Sequence, residues 1–365
     1  MRNIITNINE TDRNFVFSPI AVYYALCLLA QTAAGETKKE ILDVLEVSEE
    51  ELLSRTEAIR NAFNVEEEET KLSLNSSLWL NNSRSFKEDV VNQICKDNDS
   101  TIEIGAMGDE DFNNKLHDWL NKNTGNLLED NVGNIQMSAD TIMELFSAIY
   151  LKGKWADNFE KNRTENRTFF INEEEKIECE FMNRLYSDFV LCGEHFKAIR
   201  LPILGIGSML FILPNEGYKP SDINNDEDLI CLLEGKEDCV YGHDYHINLS
   251  LPKFDIKADG DLLAQLNKLG IRKAMDIYEA DFAPITDEKE VCLAKANQAS
   301  RLKIDESGIE AASYVEMAIL IKGIPFMASE EIDLIFNRPF MFAVEHNRMP
   351  LFIGTIKNPN ENKKD

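Results

Sequence analysis

The side chains best suited to proton transfer or metal binding near neutral pH are five histidines, His117, His195, His243, His246 and His346. His243 and His246, in YGHDYHINL, are close enough in sequence to share a metal, but no third ligand lies nearby, and an exposed loop-to-strand pair accounts for them. No G-x-S-x-G elbow, P-loop or H-E-x-x-H helix occurs. GIGSML, residues 205–210, lacks the third glycine of a dinucleotide fingerprint and reads as the start of a strand. Lys161, Arg163 and Arg167 are diluted by Glu160 and Glu165, which makes them a solvated face. The seven cysteines, Cys27, Cys95, Cys179, Cys192, Cys231, Cys239 and Cys292, are scattered, odd in number and without C-x-x-C spacing. That argues for buried free thiols against a disulfide framework or zinc site. No catalytic constellation, metal site or cofactor motif emerges, so catalysis is disfavoured.

A chain of 365 residues with 44% hydrophobic content has ample material for a buried core. Its formal net charge of -27 repels phosphate backbones and anionic lipid and favours cationic partners. Nucleic acid and membrane are therefore not expected as partners. IAVYYALCLLA, residues 20–30, is too short to span a bilayer and reads as a buried helix. The N-terminal MRNIITNINETDRN has no apolar core of the signal-peptide kind, so a cytoplasmic location is expected, with release from the cell left open.

The elements follow from period and punctuation. Ser18-Pro19 opens a helix, Ser as cap and Pro in the first turn, and Gly35 is expected to end it. GETKKEILDVL (35–45) and SEEELLSRTEAIRNAF (48–63) are amphipathic helices with acidic first turns. TKLSLNSSLWLNN (70–82) alternates as a strand, DFNNKLHDWLNKNTG (111–125) is helical, and TIMELFSAIYLKGKW (141–155) reads as a central buried strand. HFKAIRLPI, SMLFILPNE and HINLSLPKFDI are strands, and DLLAQLNKLGI (261–271) is a helix ended by Gly270. No linker or repeat divides the chain, which reads as one α+β domain.

One stretch resists assignment. In IDESGIEAASYVEMAILIKG (304–323), Glu310-Ala311-Ala312 has helix-forming composition, yet apolar residues alternate afterwards. As a strand, residues 309–319 would carry Ile309, Ala311, Ser313, Val315, Met317 and Ile319 on one face. Both charges, Glu310 and Glu316, fall on the other.

The segment DLIFNRPFMFAVEHNRMPLFIGTIKNP (333–359) closely resembles the C-terminal signature of the serpins, and residues 304–315 resemble that family's reactive-loop hinge, Glu-x-Gly-x-Glu-Ala-Ala-x. NFVFSPIAVYYAL (14–26), SAIYLKGKW (147–155), LPKFDI (251–256) and LGIRKAMDIYEADF (269–282) also match, in family order across nearly the whole chain. The resemblance implies a single serpin domain over residues 1–365 with three β-sheets and about eight or nine helices. It further implies an exposed reactive-centre loop, residues 306–335, able to enter the central sheet as a new strand after a protease cuts it.

Residue by residue, Glu306 and Lys253 match the family's ion pair at the top of the opening sheet, beside Trp155. Gly308 matches the hinge glycine, and Ile309, Glu310, Ala311, Ala312 and Ser313 continue the hinge, with Ile309 bulkier than the usual Thr or Ser. Ser18 matches the serine beneath the parting strands, where Ala21, Ser147 and Gln298 replace a usual Ser, Asn and His. The family's usual count of 17 positions, Glu306 included, implies a scissile bond at Lys322–Gly323, suiting a trypsin-like protease. Phe326 or Met327 is the rival, suiting a chymotrypsin-like one. The implied function is a suicide-substrate inhibitor, a monomer without cofactor, whose partner is a basic serine protease held as a covalent acyl complex. A non-inhibitory serpin acting as chaperone, storage or carrier protein is the second reading.

Overall fold

The computed structural model describes residues 4, 13–66, 70–126, 133, 135–236, 239–309 and 330–361. Its eight described α-helices are α1 (Pro19–Thr32), α2 (Gly35–Leu45), α3 (Glu49–Ala62), α4 (Glu88–Asn98), α5 (Glu110–Asn123), α6 (Pro220–Ile223), α7 (Glu227–Leu233) and α8 (Leu263–Leu269). The strands are β1 (Phe15–Phe17), β2 (Val65–Glu66), β3 (Lys71–Asn81), β4 (Thr101–Gly105), β5 (Met143–Lys154), β6 (Glu165–Phe170), β7 (Lys176–Cys192) and β8 (Phe196–Ile203). They continue as β9 (Gly207–Pro214), β10 (Tyr241–Pro252), β11 (Phe254–Asp261), β12 (Lys295–Asp305), β13 (Gly308–Ile309), β14 (Glu331–Ile335), β15 (Phe340–His346) and β16 (Met349–Ile356).

Three sheets result. One is seven-stranded, in the order β11-β12-β13-β5-β3-β2, with β4 also on β3. The others, β1-β16-β15-β9-β8 and β6-β7-β10-β14, are joined because β7 reaches β8 with its last two residues, Leu191 and Cys192. The long apolar run read as a central strand becomes β5, whose first nine residues are buried.

α1 is buried along almost its entire length and packs against β3, β5 and β16. Ser18 caps it as expected, its Oγ accepting from Ala21 N at 3.2 Å, with Pro19 at the first helical position. The expected stop at Gly35 is corrected. The helix ends at Thr32, because Ala33 and Ala34 are extended and Ala34 N bonds Asp281 O at 2.9 Å. Gly35, at φ +54°, instead opens α2. Gly270 does end α8, at φ +109°. A separate apolar cluster sits where α5 lies across β3 and β5, with Trp79 and Phe112 edge to face at 5.1 Å beside Leu116 and Phe146. Among the described residues no helix is long and apolar enough to cross a membrane.

Candidate functional site

The site grows from the end of β12. The chain turns through Glu306 and Ser307, where Ser307 N donates to Asp305 Oδ1 at 2.8 Å, and returns as β13. β13 pairs antiparallel with β12 on one side, Ile304 opposite Ile309 and Asp305 opposite Gly308. It pairs antiparallel with β5 on the other, Gly308 opposite Lys154 and Ile309 opposite Gly153. The first residues past the hinge therefore already occupy a strand position inside the sheet. Ile309, noted for its bulk, is 1% exposed and belongs to the main core. Gly308 is required here: at φ +152°, a Cβ would lie 2.3 Å from Gly153 O and 2.7 Å from Lys154 Cα.

The top of the sheet is fastened around Glu306. Its Oε1 accepts from Thr164 Oγ1 at 2.7 Å and from Lys253 Nζ at 3.2 Å, and Lys253 also pairs with Glu180 at 2.9 Å. Trp155 Nε1 donates to Asp305 O at 2.9 Å and Trp155 N to Ser307 O at 3.2 Å, while Phe159 N donates to Glu306 O at 3.0 Å. Burial pushes the Glu306 carboxyl upward, but the bonds from Thr164 and Lys253 outweigh it and hold it below the usual carboxylate value. Burial lowers Lys253, and its bonds to Glu180 and Glu306 more than offset this, leaving it raised. The structure thus brings together Glu306, Lys253 and Trp155 and adds Thr164 and Phe159, which no local pattern marked.

Lower down, Gln298 and Ser18 meet. Ser18 N donates to Gln298 Oε1 at 2.9 Å and Gln298 Nε2 donates to Ser18 O at 3.0 Å, so one amide serves both backbone groups of the α1 cap. Ser147 lies opposite Gln298 in the β5–β12 register, but its buried Oγ has no hydrogen-bond partner among the described residues. β12 and β5 pair directly and in parallel over Lys295–Ala299 and Glu144–Ala148. Asn297 Nδ2 crosses this seam to Glu144 Oε1 at 2.6 Å, and Glu144 is 1% exposed. Above it, no described pairing joins residues 300–303 to 149–152. The seam is closed at the bottom and parted at the top.

Glu310, Ala311, Ala312, Ser313, Lys322, Gly323, Phe326 and Met327 lie outside the described residues. His243 and His246 lie three apart on β10 and so face opposite sides of the sheet; His246 Nδ1 shares a hydrogen with Ser187 Oγ at 2.6 Å, and no cluster of three metal-ligating side chains occurs among the described residues. Arg163 and Arg167 pair with Glu160 at 3.3 Å and Glu165 at 2.5 Å. The expectation of free thiols is corrected at one pair. Cys231, near the end of α7, forms a disulfide with Cys239, just before β10. The turn between helix and strand brings their Cα atoms to 6.4 Å, a juxtaposition that spacing alone did not signal. The other five cysteines are not disulfide-bonded; Cys27 and Cys179 are buried, and Cys95, Cys192 and Cys292 are half-buried.

Comparison with known proteins follows from this geometry. A family model described as serpin (serine protease inhibitor) matches residues 3–359. The chain is 30% identical over 363 residues to alpha-1-antiproteinase of Ovis aries, covering 95% of this chain and 83% of that one. It is 28% identical to alpha-1-antiproteinase 2 of Equus caballus, covering 99% and 84%. Among solved structures, native tengpin, a thermophilic serpin, superposes with a TM-score of 0.81 at 22% identity, covering 98% of this chain and 92% of that one. Human thyroxine-binding globulin superposes at 0.82 and 21%, covering 98% of both.

Proposed function

Because this chain belongs to the serpin family, of which serine protease inhibition is the general activity, we propose that it is a suicide-substrate inhibitor of trypsin-like serine proteases. The observation that carries the proposal is the hinge: Gly308 and Ile309 are seated between β12 and β5, at the head of a seam whose two strands keep one register above and below. A protease attacks the loop as substrate and its serine becomes acylated. The freed segment then extends β13 down the seam and carries the enzyme with it. Ile309 to Lys322 spans 13 residues, or about 43 Å at roughly 3.3 Å each, enough to reach the far pole of a domain this size. Pulled against the body, the acyl-enzyme distorts and deacylation stalls, with no catalytic group supplied by the inhibitor.

Register supports the facing this requires. Ile309 points into the core, so a strand continued from it would point Ala311, Ser313, Val315, Met317 and Ile319 the same way. The Cys231–Cys239 disulfide supports an oxidising compartment, the release from the cell that the sequence left open, against the expected cytoplasmic location.

The test is incubation with a trypsin-like protease followed by denaturing electrophoresis. A band of summed mass that survives hot detergent supports the proposal, and complete conversion to cleaved protein overturns it. One observation favours the non-inhibitory reading: bulky Ile309 is already buried before any cut.

A further inference from the structure

The sequence holds seven Asn-x-Ser/Thr triplets, at Asn9, Asn75, Asn81, Asn98, Asn162, Asn166 and Asn248, and the fold sorts them. An asparagine that carries a sugar must turn its Nδ2 to solvent and gives up one of its two amide protons. Asn81 and Asn98 do not meet that condition. They are 6% and 2% exposed, and each Nδ2 donates twice into the interior. Asn81 bonds Thr141 O and Ala139 O at 2.8 and 3.2 Å, and Asn98 bonds Gln31 Oε1 and Ile94 O at 2.8 and 2.7 Å. Asn75 is half-buried within the seven-stranded sheet, and Asn248 donates to Asp333 Oδ1 at 2.8 Å from a strand paired on both edges. Asn9 lies outside the described residues.

Asn162 and Asn166, in the tandem run NRTENRT, differ from all of these. Both are exposed, and neither side-chain amide has a hydrogen-bond partner among the described residues. Asn162 is the middle residue of a single 3-10 turn, Lys161–Arg163. That turn is fixed by Arg163 N to Glu160 O at 2.9 Å and by Asn183 Nδ2 to Arg163 O at 2.7 Å. Asn166 is the second residue of β6 and shares its outer face with Thr168 and Phe170, while Phe169 faces the core.

We propose that Asn162 and Asn166 are acceptor sites for N-linked oligosaccharide. The proposal rests on the oxidising-compartment reading and adds to it a modification. In the transfer, Nδ2 bonds to the anomeric carbon of a lipid-pyrophosphate-linked oligosaccharide. The carbon–oxygen bond to pyrophosphate breaks, the lipid pyrophosphate leaves, and one amide proton passes to solvent. Both triplets end in Thr, the better acceptor, whereas those of buried Asn81 and Asn98 end in Ser. Transfer acts on the chain before it folds, so the Thr164 hydroxyl is free to assist there and afterwards to donate to Glu306 at 2.7 Å. The placement gives the sugars a task. β6 pairs with β7 alone among the described strands, which leaves it an edge without a partner strand. Phe170, 46% exposed, stands on the same face about 13 Å from Asn166. Bulky, hydrated chains on Asn162 and Asn166 shield that edge and that ring from a second molecule.

The test is secretion of the full chain from insect cells behind a cleavable leader, enzymatic release of the sugars, and peptide mass spectrometry to find each asparagine converted to aspartate. Asn162 and Asn166 are expected to be modified in most of the folded monomer, and Asn81 and Asn98 to be bare. Bare Asn162 and Asn166, or sugar on Asn81 or Asn98 in folded monomer, overturns the proposal. Asn162→Gln/Asn166→Gln, and wild-type protein stripped of sugar after folding, are each expected to aggregate several-fold faster on heating; a rate equal to that of the glycosylated protein in both overturns the shield. Protein isolated from its own cells separates this proposal from the reading beneath it. Bare asparagines beside an intact Cys231–Cys239 disulfide bring down the modification alone, whereas bare asparagines with both thiols reduced bring down the compartment reading and the modification with it.

Discussion

Cutting the loop should raise the melting midpoint, and the structure sets the size of the rise. Extending β13 in its observed register would place Ala311 between Leu302 and Leu151, Val315 between Gln298 and Ser147, and Met317 between Ala296 and Leu145. Ten further residues, 310–319, would bond on both edges, gaining about twenty ladder bonds and losing about five where β12 and β5 now pair directly. At about 1 kcal/mol each the net gain is roughly 15 kcal/mol. Fixing ten backbones costs about 10–20 kcal/mol. These two terms nearly cancel, so apolar burial decides. Val315, Met317 and Ile319 at about 1.5–3 kcal/mol each supply on the order of 5–9 kcal/mol. Unfolding entropy of about 2.1 cal/mol/K per residue over 365 residues is about 0.77 kcal/mol/K, which converts that gain into a rise of about 6–12 °C. Limited proteolysis followed by a melting scan measures it. A midpoint unchanged or lowered after a clean single cut would refute insertion.

Ala311→Arg would put a charge on the core face beside Leu302 and Leu151, at a cost of several kcal/mol, and is expected to turn the inhibitor into a substrate that is cleaved and released; wild-type stoichiometry in that variant would contradict the facing. Gly308→Val drives a side chain into the backbone of Gly153 and Lys154, so β13 should leave the sheet and the inhibition stoichiometry should rise several-fold in a titration against trypsin. Glu306→Gln should lower stability by about 1–3 kcal/mol at pH 7. Because the folded carboxyl sits below its ordinary value of 4.5, that difference is full above pH 4.5 and should vanish as pH falls through the folded value, which denaturant titrations of both proteins across pH would show. Mass spectrometry of the C-terminal peptide released from the denatured complex should find Gly323 at its start; a peptide beginning at Met327 or Ala328 would move the cut and the specificity with it.

What the sequence made legible follows the range of the forces involved. β5 could be read because its apolar run, carrying Phe146, Ile149 and Tyr150, is unbroken by charge between Glu144 and Lys152, as a strand buried on both faces requires. Glu306, Lys253 and Trp155 were reached through family pattern, and the structure joins them. Thr164 was not, because its bond to Glu306 spans 142 residues and nothing within the local KNRT sequence distinguishes it from other surface threonines. The stop assigned to Gly35 failed for the same reason: Ala34 N donates its hydrogen bond to Asp281 O, a tertiary decision that overrides a glycine signal. Gln298 read only as a replacement for the family's usual His. In place it uses both ends of its amide on Ser18, so the substitution keeps the α1 cap satisfied while Ser147 gives up its share.

That exchange bears on how the native state waits. Gln298 bonds to α1 and Ser147 bonds to nothing described, so at this level no side-chain hydrogen bond joins the two parting strands. The cross-seam side-chain link lies lower, at Asn297 and buried Glu144. Insertion would therefore begin easily. Positions 310–313 would enter where β12 and β5 are not paired, and resistance would start opposite Ala299 and Ala148, at position 314. The five paired positions below hold about five ladder bonds, and the Asn297–Glu144 bond adds one to a buried carboxyl group, worth about 1 kcal/mol. Breaking these before the lower burial is gained places the barrier in the bottom half of the seam. On the inhibitory proposal, Gly308 and Ile309 already sit in the sheet, and the Glu144 end of the seam would set the rate of further insertion.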